Sequence, residues 1–261
     1  MRLKTKQEIS KMFITGAILA DALKIMKKSV VPGITTLEID YIGESYVKSC
    51  GAVAALKGFK PRFSDHVYQH ATCISVNNQI IHAPPSDYTI KKGDIVTLDM
   101  AISKAYWYAD AAITIVVEDN DSDEYKESKI LSEYTHLALL STIEKIMSGD
   151  IKKTSDIGKH IQKMADKKNF GVVSAACGHS IGQELHELGI QILNSYEEGD
   201  SGVNIVPGMT FCIEPIFTMG SGDITKDKLD PWTIYTSDGS HSAHWEHTVA
   251  ITENGPLILT L

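Results

Sequence analysis

The 261-residue sequence contains no apolar run near the length of a membrane span, and its opening MRLKTKQEIS carries no hydrophobic signal core. These absences predict a cytoplasmic protein without membrane association. Basic excess is missing as well. The 25 Lys and Arg against 33 Asp and Glu leave a formal charge of -8, which argues against a cationic face for DNA. The balance leaves room for docking on RNA through a local lysine patch, and so for transient ribosome association. Cysteine is scarce, and Cys50, Cys73, Cys177 and Cys212 show no C-x-x-C spacing. They read as reduced, mostly buried thiols. What is present in quantity is 43% apolar and 22% charged residues, enough for a substantial core.

The most informative stretch spans residues 93–117. Two β-rich runs, 95–102 and 107–117, flank a short connector and predict a hairpin. A two-residue turn at Lys104 and Ala105 would set Ser103 against Tyr106. Asp99 would then face Asp110 directly, roughly 5 Å away at Cβ. Like charges so placed in apolar strands (IVTLDMA, YADAAI) destabilise a sheet and drive one acid to keep its proton. A divalent cation removes that cost; the plainer alternative is two acids solvated on an exposed edge.

Around this hairpin the pattern predicts a helix at 5–28, with Ile9, Met12, Phe13, Leu19, Leu23 and Met26 at helical spacing. Thr35-Thr36-Leu37-Glu38 forms a capping box that opens a second helix to about Ser49. Gly51 begins a short strand, and 57–69 is a polar surface loop. Segments 71–76 and 79–82 read as paired strands joined by Asn77-Asn78. A third helix ends near Ser148, and the chain then repeats itself. A capped helix at 154–168 precedes Gly171 and a strand, as the second helix precedes Gly51. Cys73 and His82 are nine residues apart, as are Cys177 and His186; Gly93 leads Asp99 by six, as Gly208 leads Glu214. This duplication predicts two halves, about 5–117 and 122–261, packed about a pseudo-two-fold axis as one domain spanning 1–261. Asp99 and Glu214 would then face a common centre.

The second half supplies further candidates. His179 lies in GHSIG, Glu214 in FCIEPIF and Glu246 in HWEHTVAIT. Acids embedded in apolar strands are usually paired or metal-bound. Asp99, Asp110, His179, Glu214 and Glu246 carry too much negative charge for one ion and suit two hard or borderline divalent cations.

The ordered set LDMA, YADAA, GHSIG, FCIEPIF and WEHTVAIT resembles the methionine aminopeptidases, most narrowly the short type I enzymes, over nearly the whole chain. The resemblance implies an α+β pita-bread fold, an antiparallel sheet covered by helices. It also implies a monomeric metallo-exopeptidase that hydrolyses the initiator methionine from nascent proteins. Asp99 would chelate one ion, Asp110 and Glu246 would bridge both, and His179 and Glu214 would complete the other; Mn, Fe, Co and Zn all suit such a set. Glu214 would also move the proton, with His82 and His186 hydrogen-bonding the scissile amide and the oxyanion. Cys73, Phe59, Leu185 and Trp232 fall at positions that hold the methionine side chain. Asn77 and Ser242 fall where a monovalent cation sits.

Several residues depart from the family pattern. Leu56 stands for a usual tyrosine and Leu185 for a phenylalanine, the 57–69 loop is longer, and the hairpin turn lacks glycine. The enzymatic rival is a proline-specific aminopeptidase or dipeptidase on the same scaffold, against which Trp232 and the EHT motif speak. A non-catalytic binding relative would be expected to have lost ligands.

Overall fold

Thr5 starts the first helix, α1 (Lys6–Ser29): its hydroxyl accepts the Glu8 N–H while the Glu8 carboxylate reaches back to the Thr5 N–H. The same box, Thr35 with Glu38, opens α2 (Thr36–Ser49). The structure, a computed structural model, describes residues 2–60, 66–120, 122–227 and 230–261. The helix pair recurs as α3 (Asp123–Ser148) and α4 (Thr154–Asp166). No helix among the described residues is long and apolar enough to cross a membrane.

The strands of the first half are β1 (Val53–Ala54), β2 (Cys73–Val76), β3 (Gln79–Ile81), β4 (Ile95–Lys104) and β5 (Trp107–Val116). Those of the second are shorter. They are β6 (Gly171–Val172), β7 (Cys177–His179), β8 (Gln191–Leu193), β9 (Thr210–Ile213), β10 (Ile216–Thr218), β11 (Ile224–Lys226), β12 (Ile234–Thr236), β13 (Ser242–His244), β14 (Glu246–Thr252) and β15 (Gly255–Ile258). The main antiparallel sheet runs β1-β4-β5-β14-β15, with β2 added on β4 and β9 on β14. Strands β5 and β14 meet at its centre, each flanked by a strand that follows a left-handed glycine: Gly93 (φ 86°) before β4 and Gly208 (φ 94°) before β9. On one side of the β5–β14 seam β4 pairs β5, and on the other β9 pairs β14.

Strand alternation divides the sheet into a helix side and an open side. Leu98, Met100, Ala109 and Ala111 pack with Leu19, Met26 and Ile39 from α1 and α2. Phe211, Ile213, Val249 and Ile251 pack with Leu139, Ile157 and Ile161 from α3 and α4. Asp99, Asp110, Cys212 and Glu246, at alternate positions, point the other way.

Four expectations need correction. The hairpin turn is Ala105-Tyr106, both at positive φ (48° and 65°), and Lys104 pairs with Trp107. Asp99 therefore opposes Ala112, and Asp110 opposes Ala101, so the acids are diagonal rather than directly opposed. Because the slip is two residues, both stay on one face. In this register the Lys104 ammonium donates to the Cys50 and Gly51 carbonyls. Strands β2 and β3 flank the Asn77-Asn78 turn but ladder with different partners, β4 and β12. Phe13 is 46% exposed, since one step along a helix from buried Met12 turns a side chain about 100° away. The 57–69 segment is not wholly on the surface, because Tyr68 is only 3% exposed; residues 61–65 of that segment lie outside the described residues.

Candidate metal centre and active site

The register of the main sheet lines up the acids on its open side. Cys73 opposes Asp99, Asp99 opposes Ala112, and Ala112 opposes Glu246, so the small alanine leaves free space between two carboxyls. In the next row Asp110 is gripped by Thr248, whose hydroxyl accepts its N–H (2.9 Å) and donates to its carbonyl (2.7 Å). Thr248 in turn opposes Cys212. Glu214 follows immediately after β9, where Pro215 stops the ladder and the chain crosses to another sheet as β10. His179 ends β7, which lies against β9 because residue 178 is glycine: a Cβ there would stand 2.1 Å from the Cys212 carbonyl oxygen.

These elements bring Asp110, His179 and Glu246 together, place Asp99 in a separate group, and leave Glu214 outside both. His179 Nε2 lies 3.7 Å from Asp110 Oδ2. Asp110, His179, Cys212 and Glu246 each offer one atom within 4.8 Å of all the others, and Cys73, His82 and Asp99 form a second such group. Burial pushes the carboxyls of Asp99, Glu214 and Glu246 well above the usual carboxylate range, and the charge of Asp110 raises each further. Asp110 Oδ1 and Glu246 Oε1 are buried without any hydrogen-bond partner. Unpaired buried carboxylate oxygens with imidazole beside them form a donor set that fits borderline divalent cations.

Around this centre, His82 stands exposed at a positive φ of 62°, next to Asp99 and Cys73. His186, also exposed, has its ring centroid 4.2 Å from that of His179 and 5.8 Å from that of Phe59. The expected side-chain pocket is only partly gathered. Trp232 is met at 5.1 Å, edge to face, by Tyr68, whose hydroxyl donates to the Thr72 and Ala83 carbonyls flanking Cys73 and His82. Leu185 packs inward with Leu56 and Cys212. Asn77 and Ser242 do meet, the Ser242 N–H donating to the Asn77 carbonyl (3.1 Å).

Two residues escaped the sequence reading. Tyr68 lies in a polar segment without periodicity, and nothing local announces its burial. His244 was legible in principle: it precedes Glu246 by two in SAHWEHT, which in extended chain means the same face. Its Nε2 is 3.8 Å from Glu214 Oε2.

The metallopeptidase family M24 matches residues 10–253. A methionine aminopeptidase of Clostridium perfringens is 38% identical over 259 residues, covering 99% of this chain and 98% of that protein. One from Aquifex aeolicus is 36% identical over 261 residues, covering 100% and 98%. The solved methionine aminopeptidase from Rickettsia prowazekii superposes with a TM-score of 0.90 at 32% identity, with both chains fully covered. Prolidase from Pyrococcus furiosus, at 20% identity and a TM-score of 0.71, shares the fold alone, and this chain covers 65% of it. The fold is therefore the expected α+β pita-bread arrangement, and metal dependence comes with the family. Matched over its whole length in sequence and in backbone, the chain belongs to metallopeptidase family M24, among the methionine aminopeptidases.

Proposed function

We propose that this chain is a metal-dependent methionyl aminopeptidase that removes the initiator methionine from new polypeptides in the cytoplasm. The observation that carries the proposal is the convergence of Asp110, His179 and Glu246 on one side of the sheet, with buried carboxylate oxygens left unpaired. Asp99 would hold one of two divalent cations and His179 with Glu214 the other, and Asp110 and Glu246 would contribute to both. When bound, the cations would supply Lewis acidity, polarising the scissile carbonyl and lowering the pKa of a water. Mn, Fe, Co and Zn all suit these donors.

The chain's own side chains do the rest. Glu214, which burial alone would keep protonated and which bound cations would keep ionised, would take a proton from the attacking water and deliver it to the departing amine. His82 and His186 donate ring N–H groups to the scissile amide and to the developing oxyanion. Cys73, Trp232 and Phe59, with Leu185 behind them, offer sulfur, aromatic and aliphatic surface for a methionine side chain. Tyr68, edge-on to Trp232, extends that wall. The Asn77 carbonyl and the Ser242 hydroxyl would hold a monovalent cation. Because the ligands come from both halves, residues 1–261 would work as one catalytic unit, monomeric and with at most transient ribosome contact.

The test is a pair of peptides. Met-Ala-Ser should lose its first residue and Ala-Pro-Ser should not, and a chelator should abolish the cleavage. Cleavage of the proline peptide alone would assign a prolidase-like specificity instead.

A further inference from the structure

Among the described residues, six buried side-chain nitrogen or oxygen atoms have no hydrogen-bond partner, and four of the six belong to Asp110, Glu246 and His244. Cations account for the two carboxylate oxygens. The same signature on His244 asks for the same explanation. His244 is 2% exposed, and neither Nδ1 nor Nε2 meets a partner. Its backbone is anchored on both sides: it opposes Ile216 in the β10–β13 ladder, and the Thr114 hydroxyl bonds both its N–H (3.0 Å) and its carbonyl (2.7 Å). A buried imidazole without a partner is costly, and a strand position fixed this firmly holds it at the site.

The spacing fits coordination. His244 Nε2 stands 3.8 Å from Glu214 Oε2, close to the 3.7 Å between His179 Nε2 and Asp110 Oδ2. Two donors each about 2.1 Å from one ion are separated by at most about 4.2 Å, so either pair can share an ion.

We propose that His244 is a sixth protein ligand, giving the cation held by Glu214 a second imidazole beside that of His179. The inference rests on the metallopeptidase reading above and refines which cation that position favours. A site with two imidazoles leans toward Co, Fe or Zn, whereas an all-oxygen site leans toward Mn or Mg.

Crystals of the full chain loaded with Co(II) and measured by anomalous scattering test it directly, alongside calorimetric Co(II) titration of wild type and H244Q. The expected result is an anomalous peak about 2.1 Å from His244 Nε2, with H244Q binding one of its ions at least tenfold more weakly. Peaks bound by Asp110 and Glu246 but lying beyond about 3 Å from His244 Nε2 overturn the inference and leave the metallopeptidase reading intact. An H244Q titration matching wild type overturns it too. No peak at Asp99, Asp110, His179, Glu214 and Glu246 overturns the reading on which it rests.

Discussion

Glu214 sits where Pro215 stops strand β9 from continuing, so its carboxyl leaves the sheet at the edge of the cleft. There it is buried, and its carboxyl pKa is raised by that burial and by Asp110. A group in this state is suited to passing a proton, and E214Q should lower kcat by about 10²- to 10⁴-fold, measured on Met-Ala-Ser. His82 acts differently. H82A should lose about 10²- to 10³-fold in kcat while retaining its full metal content by elemental analysis; loss of metal would make His82 a ligand. At this scale the sequence was most readable where apolar strands carried isolated acids, because burial without a partner is a chemical contradiction visible in one dimension. It was least readable at Tyr68, whose role depends on Trp232, more than 160 residues away, and on carbonyls it finds only in the folded chain.

At the scale of elements, the capping box of α2 was legible because all its partners lie within four residues, and the matching box of α1 was open to the same reading. The register of the β4–β5 hairpin was not. Type I′ turns announce themselves through Asn-Gly or Gly, whereas here Ala105 and Tyr106 take the left-handed conformation unaided. In the observed register the Lys104 ammonium reaches the Cys50 and Gly51 carbonyls just before β1, partners more than fifty residues away in sequence. That choice stores strain. Tyr106 is 83% exposed and holds little by packing, so Y106G should raise stability by about 1 kcal/mol, read as a higher denaturant midpoint at constant slope. A lower midpoint would show that Tyr106 contributes a contact worth more than its backbone strain.

For the whole molecule, electrostatics links stability to metal. Asp99, Glu214 and Glu246 have carboxyl pKa values raised above their unfolded values, 3.8 for Asp and 4.5 for Glu. In ion-free protein their contribution is fully present below those values and is lost as pH rises through the folded ones. Bound cations reverse this by favouring the charged form. The thermal midpoint of chelated protein should therefore fall behind that of Co(II)-loaded protein by an amount that widens as pH rises above the unfolded carboxyl values of 3.8 and 4.5. Ion at a hundredfold excess over its Kd should add about 2.7 kcal/mol. A gap independent of pH would mean that these carboxyls do not hold the ions. Buried His247, lowered to about 4, acts at the other end: its neutral form is favoured in the fold, so stability is lost as pH falls from its unfolded value of 6.5 toward 4. The duplicated Gly-to-acid spacing made the two-part plan legible, but no local signal told that β5 and β14 would be the strands to meet.

Their meeting has a mechanical consequence. Among the described residues, strands β5 and β14 ladder through two residue pairs, Ala112 with Glu246 and Ala111 with His247, with the Thr248 hydroxyl bonding Asp110 beside them, and the proposed ions would sit beside that short join. Each cation would thus act as a staple across it, so that the tension holding the two wings of the sheet together and the chemistry performed between them would come from the same bonds.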